Sequence, residues 1–198
     1  MLFTVGIVLI RLVMPYDPVE PGEWISDSGH RNMVIVALNL VPFAGIAFLW
    51  FIGVIRDRLG DYEDRFFATV FLGSGLLLVA LLFASATMTI GLIEGFRNVP
   101  NTQVEAELWR FGRSSIPSLM NVYAMRMAAV FTISVSTIIL RTAAIRRWLA
   151  YLGYAVALVL LLVINLSAWI SLLFPFWVLL LSIEILVLSL RRRGEAPA

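Results

Sequence analysis

Six apolar stretches, divided by short charged or proline-rich segments, constrain this chain more than anything else in it. With 61% hydrophobic and 14% charged residues and a mean hydropathy of +0.93, most of its surface is poorly suited to water. The reading is an all-α integral membrane protein: a bundle of six transmembrane helices over about 1–14, 32–55, 66–93, 118–140, 148–167 and 172–190. Six helices of roughly 20 residues use well over half of the 198 residues, so the chain reads as one domain over 1–198.

The first run, Leu2 to Met14, is interrupted by Arg11 and ends at Pro15. At 1.5 Å per residue it reaches only about 20 Å, against a hydrocarbon core of roughly 30 Å. Either it is a short helix whose ends snorkel, or the start codon lies upstream. It has no basic region before it and no small-residue cleavage site after it, so it does not read as a signal peptide. At the other end, Trp148 to Leu190 is twice too long for one helix and must fold back. Its turn is expected near Ser167 to Ser171, with Pro175 in the first turn of the sixth helix, where a missing N–H costs little.

Arginine placement sets the threading. With six spans, Arg56, Arg58, Arg65, Arg141, Arg146, Arg147, Arg191, Arg192 and Arg193 fall on one side and Arg31, Arg97, Arg110 and Arg113 on the other. Nine against four in short loops places the first side, and both termini, in the cytoplasm. In the long outer loop, Thr102-Gln-Val-Glu105 has the spacing of a capping box, and Val104, Leu108 and Phe111 recur at helical intervals. A short amphipathic helix is expected there, either as a lid over a site or as a connector resting on the bundle or on lipid.

Charges inside spans are the leads to function, because one at the bilayer centre costs at least about 2.5 kcal/mol on insertion scales. Arg11 is close enough to a helix end to snorkel. Arg126 lies about eight residues into the fourth span and Glu184 about seven from the inner end of the sixth. Their depths differ by on the order of 10 Å, so a direct bridge needs tilt. Arg126 instead has Glu94, Asn165, helix-end carbonyls, an anion or a lipid headgroup within its range. Glu184 is placed to relay protons or to reach the basic inner face. Asn39 and Pro42 sit mid-span in the second helix, where proline leaves the Leu38 carbonyl without its usual donor.

The remaining signals are structural in character. Gly73, Ser74 and Gly75, and Ala129, Thr132 and Ser136, form small and hydroxylated ridges that let helices approach and bond across the contact. Trp24, Trp50, Trp148, Trp169 and Trp177 fall near span ends, as interfacial anchors do. The charged turn Arg56, Asp57, Arg58, Asp61, Glu63, Asp64 and Arg65 offers closely spaced opposite charges for internal pairing or for docking on a partner.

No catalytic, metal or nucleotide motif is present. With no cysteine, the chain cannot build disulfides, thiolate metal sites, iron–sulfur clusters or covalent c-type haem. One histidine, His30, cannot supply a bis-histidine haem site. No cofactor is expected. Intramembrane hydrolysis needs a base beside a nucleophile or a bound metal, so the chain reads as non-enzymatic. A net charge of +2 gives no case for nucleic acid. The expected partners are membrane lipids and other membrane protein subunits. The leading reading is a scaffold or accessory subunit, and the alternative is a small transporter or channel using Arg126 and Glu184.

Two blocks carry a family resemblance. They are Phe51-Ile-Gly-Val-Ile-Arg-Asp-Arg-Leu-Gly with Glu63-Asp-Arg-Phe-Phe-Ala-Thr-Val-Phe-Leu-Gly-Ser-Gly75, and Arg126-Met-Ala-Ala-Val-Phe with Ser136-Thr137, Arg141-Thr142 and Arg147-Trp-Leu-Ala-Tyr-Leu-Gly-Tyr154. Over roughly residues 30 to 180 the chain resembles uncharacterised multi-pass membrane proteins common in actinobacteria. The resemblance implies a bacterial inner-membrane setting and no particular activity.

Overall fold

The computed structural model describes residues 28–59, 65–98, 102–142, 145–162 and 168–194. Apart from Ile145 and Arg146, every described residue is helical. In chain order the elements are α1 (Ser28–Leu59), α2 (Arg65–Asn98), α3 (Thr102–Pro117), a π-wound segment (Ser118–Ala124), α4 (Met125–Thr142), α5 (Arg147–Leu162), a 3-10 turn (Ala168–Leu172) and α6 (Leu173–Gly194).

Among the described residues, four stretches are long and apolar enough to cross a membrane: Val34–Asp57, Phe66–Gly95, Arg110–Thr142 and Trp169–Leu190. They contain the expected spans 32–55, 66–93, 118–140 and 172–190 nearly in full. The fifth expected span, 148–167, is represented by α5, an apolar helix of 16 residues. At 1.5 Å per residue that is about 24 Å, short of a full hydrocarbon core on its own. The first expected span, 1–14, lies outside the described residues, as does Trp24.

Local chemistry accounts for several boundaries. α3 begins at Thr102, where the capping-box spacing places a start. It does not end as a separate connector. Pro117 has helical dihedrals, φ −62° and ψ −36°, but has no N–H to give its own ladder. Beyond it the winding widens to π over Ser118–Ala124 and then tightens into α4, so 102–142 is helical throughout. Between α5 and α6 the residues 163–167 lie outside the described ones; the 3-10 turn Ala168–Leu172 leads directly into α6, and Pro175 lies in the first turn of α6. α1 runs through Pro42 without interruption.

The centre of the bundle is aromatic. Phe131 of α4 stacks on Phe71 of α2 with ring centroids 5.0 Å apart and tilts against Phe48 of α1 at 5.2 Å. Phe174 of α6 meets Phe48 and Phe131 edge-on at 5.9 and 6.2 Å. Four helices thus share one contact. Lipid tails are as apolar as these rings, so dispersion and ring geometry, rather than escape from water, hold the cluster together.

Close approach needs small residues. A Cβ on Gly75 would come within 2.6 Å of Ile52 Cδ1, so α1 and α2 pack closely there. Gly73 meets nothing within 4 Å and has no such role. At the α5–α4 crossing, a Cβ on Gly153 would overlap the Ser136 hydroxyl and reach Trp177 Nε1 at 3.0 Å. The Trp177 indole is fully buried here, donating from Nε1 to the Leu149 carbonyl at 3.1 Å. Trp177 is therefore not an interfacial anchor, unlike the exposed Trp50, Trp148 and Trp169.

The hydroxylated ridges are buried as expected: Ser74, Thr132 and Ser136 all lie inside. Their bonding differs from the expectation. Ser74 donates to Val70 O at 2.6 Å, Thr132 to Ala128 O at 2.7 Å and Ser134 to Val130 O at 2.9 Å, each within its own helix. A helix supplies an acceptor one turn back at no assembly cost, so back-bonding wins over bonding across the contact. Thr137 bonds across as well, its Oγ1 lying 2.7 Å from the Tyr154 hydroxyl of α5.

Candidate functional site

The ends of the helices gather the basic residues. α1 runs into α2 through 60–64, so Arg56, Asp57 and Arg58 in the last turns of α1 lie at the end where Arg65 begins α2. Arg141, near the end of α4, stacks its guanidinium over Phe67 with Cζ 4.6 Å from the ring centroid. Arg146 follows immediately, and its Nε lies 3.2 Å from Glu184 Oε1 of α6. These contacts bring the 56–65, 141–147 and 191–193 arginine clusters to one end of the bundle. Arg56 and Asp57 are exposed there; Asp61, Glu63 and Asp64 lie outside the described residues.

Glu184 therefore meets a cation from the inner-loop set and not Arg126. Its side chain retains 16% exposure while that of Arg146 retains 65%. The carboxylate stays within α6 and the longer arginine reaches it from the bundle end, keeping most of its own surface solvated. Arg146 was not singled out from the sequence. It was one of three adjacent loop arginines, and spacing alone does not choose among them.

Arg126 and Asn39 face outward. Arg126 is exposed on α4 and makes no hydrogen bond or ion pair with another described residue. Tyr123, three residues before it and so on the same face, is 58% exposed. Asn39 and Pro42 lie on an exposed stripe of α1 with Phe43, Ile46 and Trp50. Glu94 is exposed near the far end of α2, and Asn165 lies outside the described residues. The four described candidates, Arg126, Glu184, Asn39 and Glu94, are not brought to a common place in the bundle interior.

What the interior does hold is uniform. Among the described residues, the buried polar ones are Ser74, Ser85, Thr89, Thr132, Ser134, Ser136 and Ser171. All are small hydroxyls. Ser136 Oγ is buried with no hydrogen-bond partner. No three His, Cys, Asp or Glu side chains among the described residues group closely enough to hold a metal ion.

At the end opposite Arg141, α3 packs on α2. A Cβ on Gly112 would come within 2.7 Å of Leu92 Cδ2, while Arg110, Phe111 and Ser114 remain exposed. The expected helix is thus laid against the bundle through Gly112 and Ile116, whereas Phe111, expected on its apolar face, is exposed.

Compared with known proteins, the chain matches no protein-family model, no curated protein and no solved structure. The helical fold of the described residues, with four crossing-length apolar helices among them, is compatible with a multi-pass membrane protein.

Proposed function

We propose that this chain is a non-enzymatic multi-pass protein of a bacterial inner membrane, a scaffold or accessory subunit that packs with other membrane proteins or with lipid. On this reading the apolar runs of the sequence make six crossings. The arginine-rich end faces the cytoplasm. The resemblance to actinobacterial membrane proteins supports this setting.

One observation carries the reading. Arg126 and Asn39 lie on outward faces, Glu184 is taken up by Arg146 at 3.2 Å, and the buried polar groups among the described residues are only serine and threonine. A transport path through the bundle would place its charged or amide groups where substrate passes, inside. Groups on the outside meet whatever surrounds the bundle. The exposed α1 stripe of Asn39, Phe43, Ile46 and Trp50 is suited to a neighbouring helix, since an amide in lipid gains from a bonding partner.

The test is a photoreactive residue placed at Phe43 in cells, with solute flux measured in liposomes in parallel. The reading expects a defined adduct to another membrane protein or to lipid from Phe43 and no flux above empty vesicles. Flux that falls on Arg126→Ala or Glu184→Gln would replace it with the transporter.

A further inference from the structure

We propose that Arg126 and Tyr123 hold the phosphate of an anionic glycerophospholipid in the leaflet opposite Arg141, with the acyl chains lying along Val130 and Ile133. The proposal deepens the outward-facing reading above and rests on it. It begins with depth. From Arg141, stacked on Phe67 at one end of the bundle, α4 rises fifteen residues to Arg126, or about 22 Å. With Arg141 at one edge of a hydrocarbon core of roughly 30 Å, the Arg126 backbone lies about 8 Å inside the opposite edge. That is a distance an extended arginine spans by snorkelling to the phosphate level.

The chemistry follows from what Arg126 lacks. It is exposed on a crossing-length helix and has no hydrogen bond or ion pair to another described residue. A guanidinium in that position is stabilised by a planar, bidentate anion, and phosphate oxygens match its fork. Tyr123, one turn nearer the edge and also exposed, adds an amphipathic ring of the kind that sits at headgroup level. Its phenol is a second donor on the same face.

Below Arg126 the face becomes apolar. Val130 and Ile133 follow at spacings of four and three residues and are only partly covered. This puts a half-exposed apolar ridge, whose Ile133 also packs on the bundle core, in line with a cation, which is the order in which a phospholipid presents phosphate and tails. A soluble anion would gain nothing from the ridge.

The purified full chain in neutral detergent, titrated with phosphatidylglycerol and read by native mass spectrometry, tests this. Phosphatidylcholine and inorganic phosphate form parallel arms. Phosphatidylglycerol should bind wild type about tenfold more tightly than Arg126→Gln, with Arg126→Lys between them, Tyr123→Phe weakened less, and Arg110→Gln unchanged. A phospholipid with a photoreactive headgroup should label the peptide containing Tyr123 and Arg126. Equal binding by wild type and Arg126→Gln overturns the proposal, as does inorganic phosphate displacing the lipid at matching concentration, which would make this a free-anion site. Labelling confined to other exposed faces also overturns it while leaving the outward-facing reading intact. Flux dependent on Arg126 would overturn both.

Discussion

Arg146 Nε lies 3.2 Å from Glu184 Oε1, tying the entry to α5 to the middle of α6. The two partners are unequal, since the carboxylate is mostly covered and the guanidinium mostly exposed. Their removal should therefore have unequal effects.

Losing the acid leaves an arginine that can hydrate, so Glu184→Gln should change unfolding free energy by less than about 0.5 kcal/mol. Losing the base strands a covered carboxylate, and Arg146→Ala should cost about 1–3 kcal/mol. The double variant should recover to the level of Glu184→Gln alone. Thermal unfolding of all three in one detergent checks this, and equal losses for the two single variants would count against the pairing.

The α4–α5 crossing makes a suppressor prediction. Gly153→Ala places a methyl group on the Ser136 hydroxyl and against Trp177, an overpacking that should cost about 1–3 kcal/mol. Ser136→Ala removes an oxygen that is buried without a partner and should not lower stability. Combined with Gly153→Ala it should restore part of the loss. Melting temperatures of the two singles and the double decide the matter; a double as unstable as the sum of its parts would mean the contact is not at Ser136.

Trp177 offers a cleaner deletion. Trp177→Phe keeps a ring in the core but loses the 3.1 Å bond to the Leu149 carbonyl, and should cost about 1 kcal/mol. Trp177→Ala should cost about 3–5 kcal/mol. An interfacial tryptophan would tolerate both, and its fluorescence would be quenched by headgroup-depth probes. The buried indole should be shielded from them.

The sequence reached the helices and missed their rotation. Apolar runs located α1, α2, α4 and α6, the proline at 175 marked the first turn of α6, and the hydroxyl ridges at Ser74 and at Thr132 and Ser136 fell inside the bundle. Trp177, assigned to a membrane edge by position, proved to be core, while Arg126 and Asn39 lie outside. In water an apolar stripe points to the core. In lipid both faces of a helix are apolar, and the inward face is chosen by close fits such as Gly75 on Ile52 and Gly153 on Ser136, which depend on two helices at once. That Glu184 can reach the basic cluster is legible from its distance to the helix end, but which arginine it meets is not, because the contact joins residues from separate elements.

The central claim is that the chain is threaded through lipid with its arginine clusters at one face, and side-specific labelling tests it most directly. The chain has no cysteine, so Asp57→Cys, Arg147→Cys and Ser114→Cys, all at exposed positions, each give a single reporter. With a membrane-impermeant maleimide, Asp57→Cys and Arg147→Cys should react from the same side, in inverted vesicles and not in intact spheroplasts, and Ser114→Cys only from the other. Labelling of Asp57→Cys and Arg147→Cys from opposite sides would contradict the threading and the depths derived from it.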